Sequence, residues 1–234
     1  MVATAGTRVY PPPPAPLRVL RTAVRTLAEL ILTFAVVLGL LAAWEIWGKS
    51  AEYEAAQQHA DQQLDQLWNG TAAPAAAPAV PDSGAPFSRL YAPALGAHWT
   101  IVEGVTQAAL RRGPGHYPGT QSPGGVGNFA VAGHRSPSVF WNLDRLHAGD
   151  ALVVETRTQW FVYVVTRSEV VAPTRTSVVA PVPDAPGTPP KVASITLTTC
   201  NPKWSNKQRL IVFGELARTQ DKARQPGKPA ELGA

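Results

Sequence analysis

SITLTTCNPKWSNKQRLIVFGEL, residues 194–216, is the stretch that decides the fold. Its first part, SITLTTC, is rich in β-branched residues and ends at Cys200, and its last part, RLIVFGEL, begins at Arg209. Short runs of this composition are typical of strands. The NPKWSNKQ segment between them is long enough for a turn between antiparallel neighbours. The stretch therefore predicts two adjacent strands that bring the Cys200 thiol close to the Arg209 guanidinium.

The same kind of pattern extends outward over a domain that begins near Phe87. Short apolar runs are broken by Gly and Pro, and ALVVET and WFVYVVT, joined by three residues, predict a hairpin. Many short strands in one domain indicate a closed barrel or a sandwich. The predicted strands are 88–91, 99–103, 128–133, 151–156, 160–166, 193–200 and 209–216, with one or two helical turns within 136–146.

The N-terminal part predicts a membrane anchor. Residues 27–47, LAELILTFAVVLGLLAAWEIW, are nearly all apolar, and about 20 helical residues cross a bilayer. Four arginines and no acid precede them, so the positive-inside rule keeps residues 1–26, predicted to be disordered, in the cytoplasm. The alternative is a cleaved signal peptide, but bulky residues such as Trp44 and Trp47 stand where a small-x-small cleavage pattern belongs. Either reading exports the remainder.

Three further segments surround the domain of residues 87–218. Residues 48–70 are mostly polar helix formers and predict a helical stalk. Residues 71–86 are an Ala/Pro stretch with too little apolar surface to fold, which predicts a linker. Residues 219–234 are predicted to be a flexible C-terminal tail.

Charge and cysteine content exclude several functions. The net charge is +5, but the basic residues form no cluster interleaved with aromatic residues, so no nucleic-acid partner is predicted. The single cysteine, Cys200, allows neither an intramolecular disulfide nor a multi-thiolate metal site. HExxH and paired acidic motifs are absent from the sequence, and we expect no metal and no cofactor.

A third strand end supplies a histidine. FAVAGHR, residues 129–135, reads as a strand that ends just before His134. A thiolate can attack a carbonyl, an imidazole can move the proton, and a guanidinium can donate to the resulting oxyanion. Cys200, His134 and Arg209 are therefore candidate catalytic residues for acyl transfer.

These motifs resemble the sortase family. TLTTC, residues 196–200, matches the family's TLxTC nucleophile motif, Gly133-His134 its histidine context, and Arg209 the arginine that opens its last strand. HYPGT, residues 116–120, together with VAGHR and the anchor, resembles the actinobacterial class E group. Asn201 is a departure, since many class E relatives have histidine there. The resemblance implies an all-β, closed eight-stranded barrel with short helical insertions behind a transmembrane helix.

The resemblance also implies a function. Sortases cut a C-terminal sorting signal, LAxTG in class E, after its threonine, and an amine resolves the thioester. The implied partners are secreted proteins with an LAxTG-like signal, a lipid II-type peptidoglycan precursor amine, and the membrane through residues 27–47. The implied location is the cell membrane, with one span and an extracellular catalytic domain.

Four other residues have open roles. Thr199 could steer the substrate threonine or stabilise the oxyanion, or it could simply fill a strand. Tyr117 could recognise the small second residue of the signal or pack as an aromatic. His116, in a Gly-rich loop, could face substrate or be structural. Arg135, by alternation along an extended chain, is expected to face solvent.

Two other functions compete with transpeptidation. One is a cysteine hydrolase without ligation; an L,D-transpeptidase-like enzyme would need an SHGC-type motif, and His134 and Cys200 are far apart in the sequence. The other is a non-catalytic, membrane-tethered β-domain that binds the cell wall.

Overall fold

The computed structural model describes residues 15–44, 48–70 and 83–233, which fall into two units divided after Lys49. The first unit is essentially one helix, α1 (Ala15–Ala43). Its stretch Val19–Ala43 is long and apolar enough to cross a membrane. The helix begins inside the segment predicted to be disordered, because residues 17–26 contain neither glycine nor proline and Pro16 lies in the first turn, where proline is tolerated. Residues 1–14, 45–47, 71–82 and 234 lie outside the described residues, and they include most of the linker predicted over residues 71–86.

The second unit is built on a closed barrel of eight strands, as the family resemblance implies. Their order around the barrel is β1-β2-β3-β4-β7-β8-β6-β5, and β5 closes onto β1. The β2–β3 and β4–β7 pairs are parallel and the others antiparallel. The strands are β1 (Pro86–Ala92), β2 (Ala97–Glu103), β3 (Gly115–His116), β4 (Gly127–Ala132), β5 (Ala151–Glu155), β6 (Gln159–Val171), β7 (Ala193–Asn201) and β8 (Gln208–Asp221).

The seven predicted strands are all present. The eighth, β3, was not predicted because two residues are too few to show the alternating pattern of a strand. The two longest strands, β6 and β8, extend further than predicted. β6 continues through polar residues 166–169, where a register shift against β8 interrupts the apolar pattern without ending the pairing. Short helices connect the strands: α3 (Gln107–Leu110) follows β2, and a 3-10 turn, Leu143–Arg145, lies in the predicted 136–146 segment.

Inside the barrel, alternate residues of the strands form one apolar core. From β4 and β7 these are Phe129, Val131, Ile195 and Leu197, each fully buried. Because side chains of a strand alternate between its faces, the residues between them point to the outside of the barrel. This outer face of β4, β7 and β8 carries the candidate site.

A helix, α2 (Lys49–Asn69), packs against the barrel wall. Ala60 and Leu64 are fully buried, and Arg89 of β1 forms ion pairs with Asp61 and Asp65 of the helix. The Trp68 ring lies 4.9 Å from the Arg89 guanidinium. The segment predicted as a stalk is therefore helical, but its polar side chains bind the barrel.

Gln57 of α2 takes part in the barrel's hydrogen bonding. Its side-chain oxygen accepts from the Thr100 N–H at 2.8 Å, and its side-chain nitrogen donates to the Thr100 carbonyl at 3.1 Å. The same nitrogen donates to the Arg112 carbonyl at 2.6 Å. A Cβ at Gly113 would lie only 2.4 Å from this nitrogen, so the close approach requires glycine. Because β3 has only two residues, it pairs with β2 only at Val102 and Glu103. The Gln57 side chain binds the β2 backbone at Thr100, beyond the reach of β3.

The C-terminal segment also differs from the expectation of a flexible tail. β8 continues to Asp221, and the chain then turns back onto the barrel. Arg218 pairs with Glu231, and Leu232 packs against the cluster of Val153, Trp160 and Val162. These contacts hold the segment against the barrel.

Candidate active site

Cys200 is a free thiol on the outer face, next to the end of β7. Along β7 it lies on the same face as Thr196 and Thr198, and the core residues Ile195 and Leu197 lie on the opposite face. The thiol-bearing residue is only half-buried. A cysteine on a rigid strand at a partly open surface is placed for reaction rather than for packing.

The barrel registers bring the other two candidates to the same level. Arg209 is paired directly with Cys200 in the β7–β8 ladder. β4 runs parallel to β7 with Ala132 opposite Thr198, and the Gly133 N–H continues the ladder to the Thr198 carbonyl at 3.0 Å. Two residues beyond Ala132, His134 is level with Cys200. The three predicted catalytic residues therefore lie at the same end of the adjacent strands β4, β7 and β8.

The backbone at His134 is fixed by an aromatic ring. The His134 carbonyl accepts from the Phe140 N–H at 3.1 Å. A Cβ on Gly133 would lie 2.5 Å from the Phe140 ring, which explains why glycine precedes the histidine. Phe140 in turn packs edge-on against Trp99, with centroids 5.1 Å apart. The histidine thus stands on a packed segment although β4 has already ended.

Burial lowers the pKa of His134, and the positive charge of Arg111 lowers it further. Both effects disfavour the imidazolium form. His134 is therefore mainly neutral at neutral pH.

Arg209 is oriented by the β7–β8 turn. Its Nη1 donates to the Asn206 carbonyl at 3.0 Å and to the Gln208 carbonyl at 2.9 Å. A guanidinium has five N–H donors in a fixed plane, so anchoring one nitrogen sets the direction of the others.

Tyr117 lies beside β4 and reaches the outer face. Its N–H donates to the Ala130 carbonyl at 2.9 Å, and its hydroxyl lies 3.1 Å from the Thr198 hydroxyl. Thr198 is two residues before Cys200 on the same face. At the far end of this face, Asn128 donates to the carbonyls of Val178 and Ala180 and so holds the β6–β7 connection over it.

His116, by contrast, is a buried structural residue. Its Nδ1 lies 2.7 Å from the Glu103 carboxylate, and its Nε2 lies 2.9 Å from the Thr120 hydroxyl. Its ring packs between Phe87 and Phe129. The substrate-facing role considered for His116 is not supported, because both ring nitrogens are engaged inside the barrel.

Thr199 also points away from the site. It lies on the same face of β7 as Ile195 and Leu197 and is 2 % exposed. Its hydroxyl has no hydrogen-bond partner among the residues that the structure describes. The substrate role considered for Thr199 is therefore corrected. The threonine on the face of Cys200 is Thr198.

Arg135 lies in a different environment from the one that strand alternation predicted. It was expected to face solvent, yet its side chain is 4 % exposed and pairs with Asp144 at 3.0 Å. Its Nη1 donates to the Asn201 side-chain oxygen at 2.7 Å. Strand alternation failed here because β4 ends at Ala132, three residues earlier.

The chain is similar to known sortases. The sortase-domain family model matches residues 90–217. Sortase SrtE1 of Streptomyces coelicolor is 33% identical over 89% of this chain, which spans 60% of that protein, and Sortase SrtE2 of the same organism is 30% identical over 93% of this chain, which spans 91% of it. The crystal structure of Sortase E1 from Streptomyces coelicolor with a tripeptide in the active site superposes with a TM-score of 0.58 at 35% identity, covering 64% of this chain and 97% of that one.

The matched residues 90–217 include His134, Cys200 and Arg209, and they cover the barrel from β1 into β8. A family model that extends over more than half of the chain agrees with the eight-stranded topology found independently. Relatives at this identity include two Streptomyces sortases E. The chain therefore belongs to the sortase family of cysteine transpeptidases, within its class E group.

Proposed function

We propose that this chain cleaves an LAxTG-like C-terminal sorting signal after its threonine and transfers the protein to an amine of a cell-wall precursor. The observation that supports this proposal is that Cys200 and Arg209 are paired across β7 and β8 while His134 follows the adjacent end of β4. Each residue supplies one requirement of acyl transfer, namely a nucleophile, a proton carrier and an oxyanion donor.

In the first step, neutral His134 takes the proton of the Cys200 thiol, and the resulting thiolate attacks the carbonyl carbon of the substrate threonine. The carbonyl oxygen becomes an oxyanion, which the Arg209 guanidinium stabilises with N–H donors whose direction its turn contacts set. The threonine–glycine C–N bond then breaks, and protonated His134 gives its proton to the leaving amine. The product is a thioester on Cys200.

In the second step, an amine attacks the thioester and Cys200 leaves as a thiolate. His134, now neutral, takes the proton that the attacking amine loses. The amine belongs to a lipid II-type peptidoglycan precursor, so the product is a new amide bond.

Peptide binding is assigned to the outer face beside Cys200. Tyr117 borders this face through its contact with Thr198, and its ring limits the space for the second residue of the signal. A peptide occupies the active site of the related Sortase E1 structure, which supports a peptide substrate here.

The chain is proposed to be anchored in the cell membrane by one span, with its N-terminus in the cytoplasm and its barrel outside. α1 has the length and hydropathy for this role, and the arginine-rich flank favours this orientation.

The test is incubation of the purified chain with an LAxTG peptide and an amine, followed by mass spectrometry. We expect a ligated product, a thioester adduct on Cys200, and neither product nor adduct with Cys200→Ala, which removes the nucleophile without adding bulk. Turnover by a clean Cys200→Ala preparation would contradict the assignment. Hydrolysed peptide without ligated product would instead identify a cysteine hydrolase.

A further inference from the structure

The buried Arg135 side chain links segments that the barrel ladder leaves apart. The last ladder bond between β4 and β7 is the one from Gly133 to Thr198. Beyond it, the Arg135 Nη1 donates to the Cys200 carbonyl at 3.4 Å and to the Asn201 side-chain oxygen at 2.7 Å. This guanidinium thus joins the end of β7, which carries Cys200, to the segment after β4, which carries His134.

The same guanidinium is fixed from a third side. Its Nε donates to the Trp141 carbonyl at 3.4 Å, and its Nη2 pairs with the Asp144 carboxylate at 3.0 Å. The ion pair compensates the buried charge, and the planar fork fits several acceptors at once. Arg135 therefore has little freedom to change its direction.

Asn201 extends this network to the third candidate residue. Its side-chain nitrogen donates to the Gln208 side-chain oxygen at 3.2 Å, and the two residues are paired in the β7–β8 ladder. Arg135, Asn201 and Gln208, here called the Arg135 network, each adjoin one of His134, Cys200 and Arg209. The network contacts the backbone that supports the reacting side chains, and not those side chains themselves.

Relative position is what acyl transfer demands most strictly. A proton carrier must come within hydrogen-bond reach of the groups it serves, and displacement by about 1 Å can cost on the order of 100-fold in rate. We propose that Arg135 is a positioning residue that, through Asn201 and the Cys200 carbonyl, sets the Cys200 thiol against His134. This inference rests on the proposed function, because it concerns the geometry of the same reaction.

The test compares Arg135→Lys and Asn201→Ala with the wild-type chain. Lysine keeps the charge for Asp144 but cannot reach several acceptors, while Asn201→Ala removes the shortest contact from a half-buried residue. Arg145→Lys, an exposed arginine of the same segment, is the matched control. We expect both network variants to lower the kcat for thioester formation at least about tenfold with KM within about twofold, and the control to match wild type.

A second readout separates positioning from general damage. Iodoacetamide needs only an accessible thiolate, so alkylation of Cys200 at alkaline pH should stay within about twofold of wild type in both variants. The double variant should lose little more than the weaker single variant, because both substitutions break one network.

Failure of this inference differs from failure of the proposed function. If wild type forms no thioester with the peptide, the proposed function is wrong. If wild type forms it and folded Asn201→Ala and Arg135→Lys keep kcat within about twofold, Arg135 does not position the site. A rise in KM alone would likewise overturn the inference, and if Arg135→Lys fails to fold, Asn201→Ala decides.

Discussion

Arg209 illustrates how a single residue can need its side-chain shape as well as its charge. One guanidinium nitrogen donates to two carbonyls of its own turn, and these bonds fix the plane of the guanidinium. The other N–H groups of that plane can then donate to the oxyanion. Lysine would retain the charge but has neither a plane nor a second arm.

We therefore expect Arg209→Lys to lower kcat/KM by on the order of 100-fold or more, the effect of removing an oxyanion donor. Steady-state ligation of the LAxTG peptide measures it. Lys207→Ala, an exposed position in the same turn, is the control and should be unchanged. A near-wild-type Arg209→Lys would reduce Arg209 to a surface charge.

The pKa of His134 can also be tested at the residue scale. Burial and Arg111 both lower it from 6.5, so protonation is easier in the unfolded chain than in the folded one. The folded state therefore loses stability as pH falls below 6.5 and His134 resists protonation. We expect Arg111→Ala to raise the His134 titration midpoint by removing the second cause, measured by NMR of the ring protons.

Arg111→Lys should keep the lowered midpoint, since it preserves the charge. Arg145→Ala is the distant control. An unchanged midpoint in Arg111→Ala would mean that burial alone sets the pKa. The pH–rate profile of the reaction is expected to be bell-shaped, and neither limb can be assigned to one residue from the profile alone.

At the scale of elements, α2 acts as part of the barrel wall through Gln57. Replacing this side chain with alanine leaves the Thr100 N–H and carbonyl without their partner. An unpaired buried backbone group costs about 1–3 kcal/mol. We expect Gln57→Ala to lower the free energy of unfolding by about 2 kcal/mol, measured by urea denaturation of the detergent-solubilised chain.

The neighbouring Gln58→Ala is the matched control, because Gln58 is exposed on the same helix. Its effect should stay within about 0.5 kcal/mol. Equal effects of the two substitutions would show that the Gln57 contacts contribute nothing beyond helix propensity.

These elements also show what can be predicted from the sequence. β7 and β8 were predictable because their runs are rich in β-branched and other apolar residues, and their closeness in the sequence placed Cys200 opposite Arg209. The helical character of α2 was predictable, but its docking was not, since Gln57, Asp61 and Asp65 look like solvent-facing residues. Arg135 was misjudged because strand alternation carries no information once the chain has left its strand. The role of His116 stayed open because its position in a Gly-rich loop does not show whether its ring turns inward.

At the scale of the whole molecule, the proposed topology places the single native cysteine outside the cell. We expect a membrane-impermeant maleimide to label Cys200 on intact cells, because the thiol is half-buried rather than enclosed. A cysteine introduced as Thr7→Cys in a Cys200→Ala background should react only after permeabilisation. Labelling of residue 7 on intact cells would reverse the proposed orientation.

The docking of α2 has a further consequence for how the barrel is attached. Residues 71–82 follow α2 in the chain, whereas Arg89, Thr100 and Arg112, which α2 contacts, lie beyond them. A protease cut within 71–82 should therefore leave the two fragments associated, like the halves of a split protein. By the same logic, lengthening the Ala/Pro segment should not increase the distance between the barrel and the membrane, because the contacts with α2 and not the covalent linker hold the barrel in place.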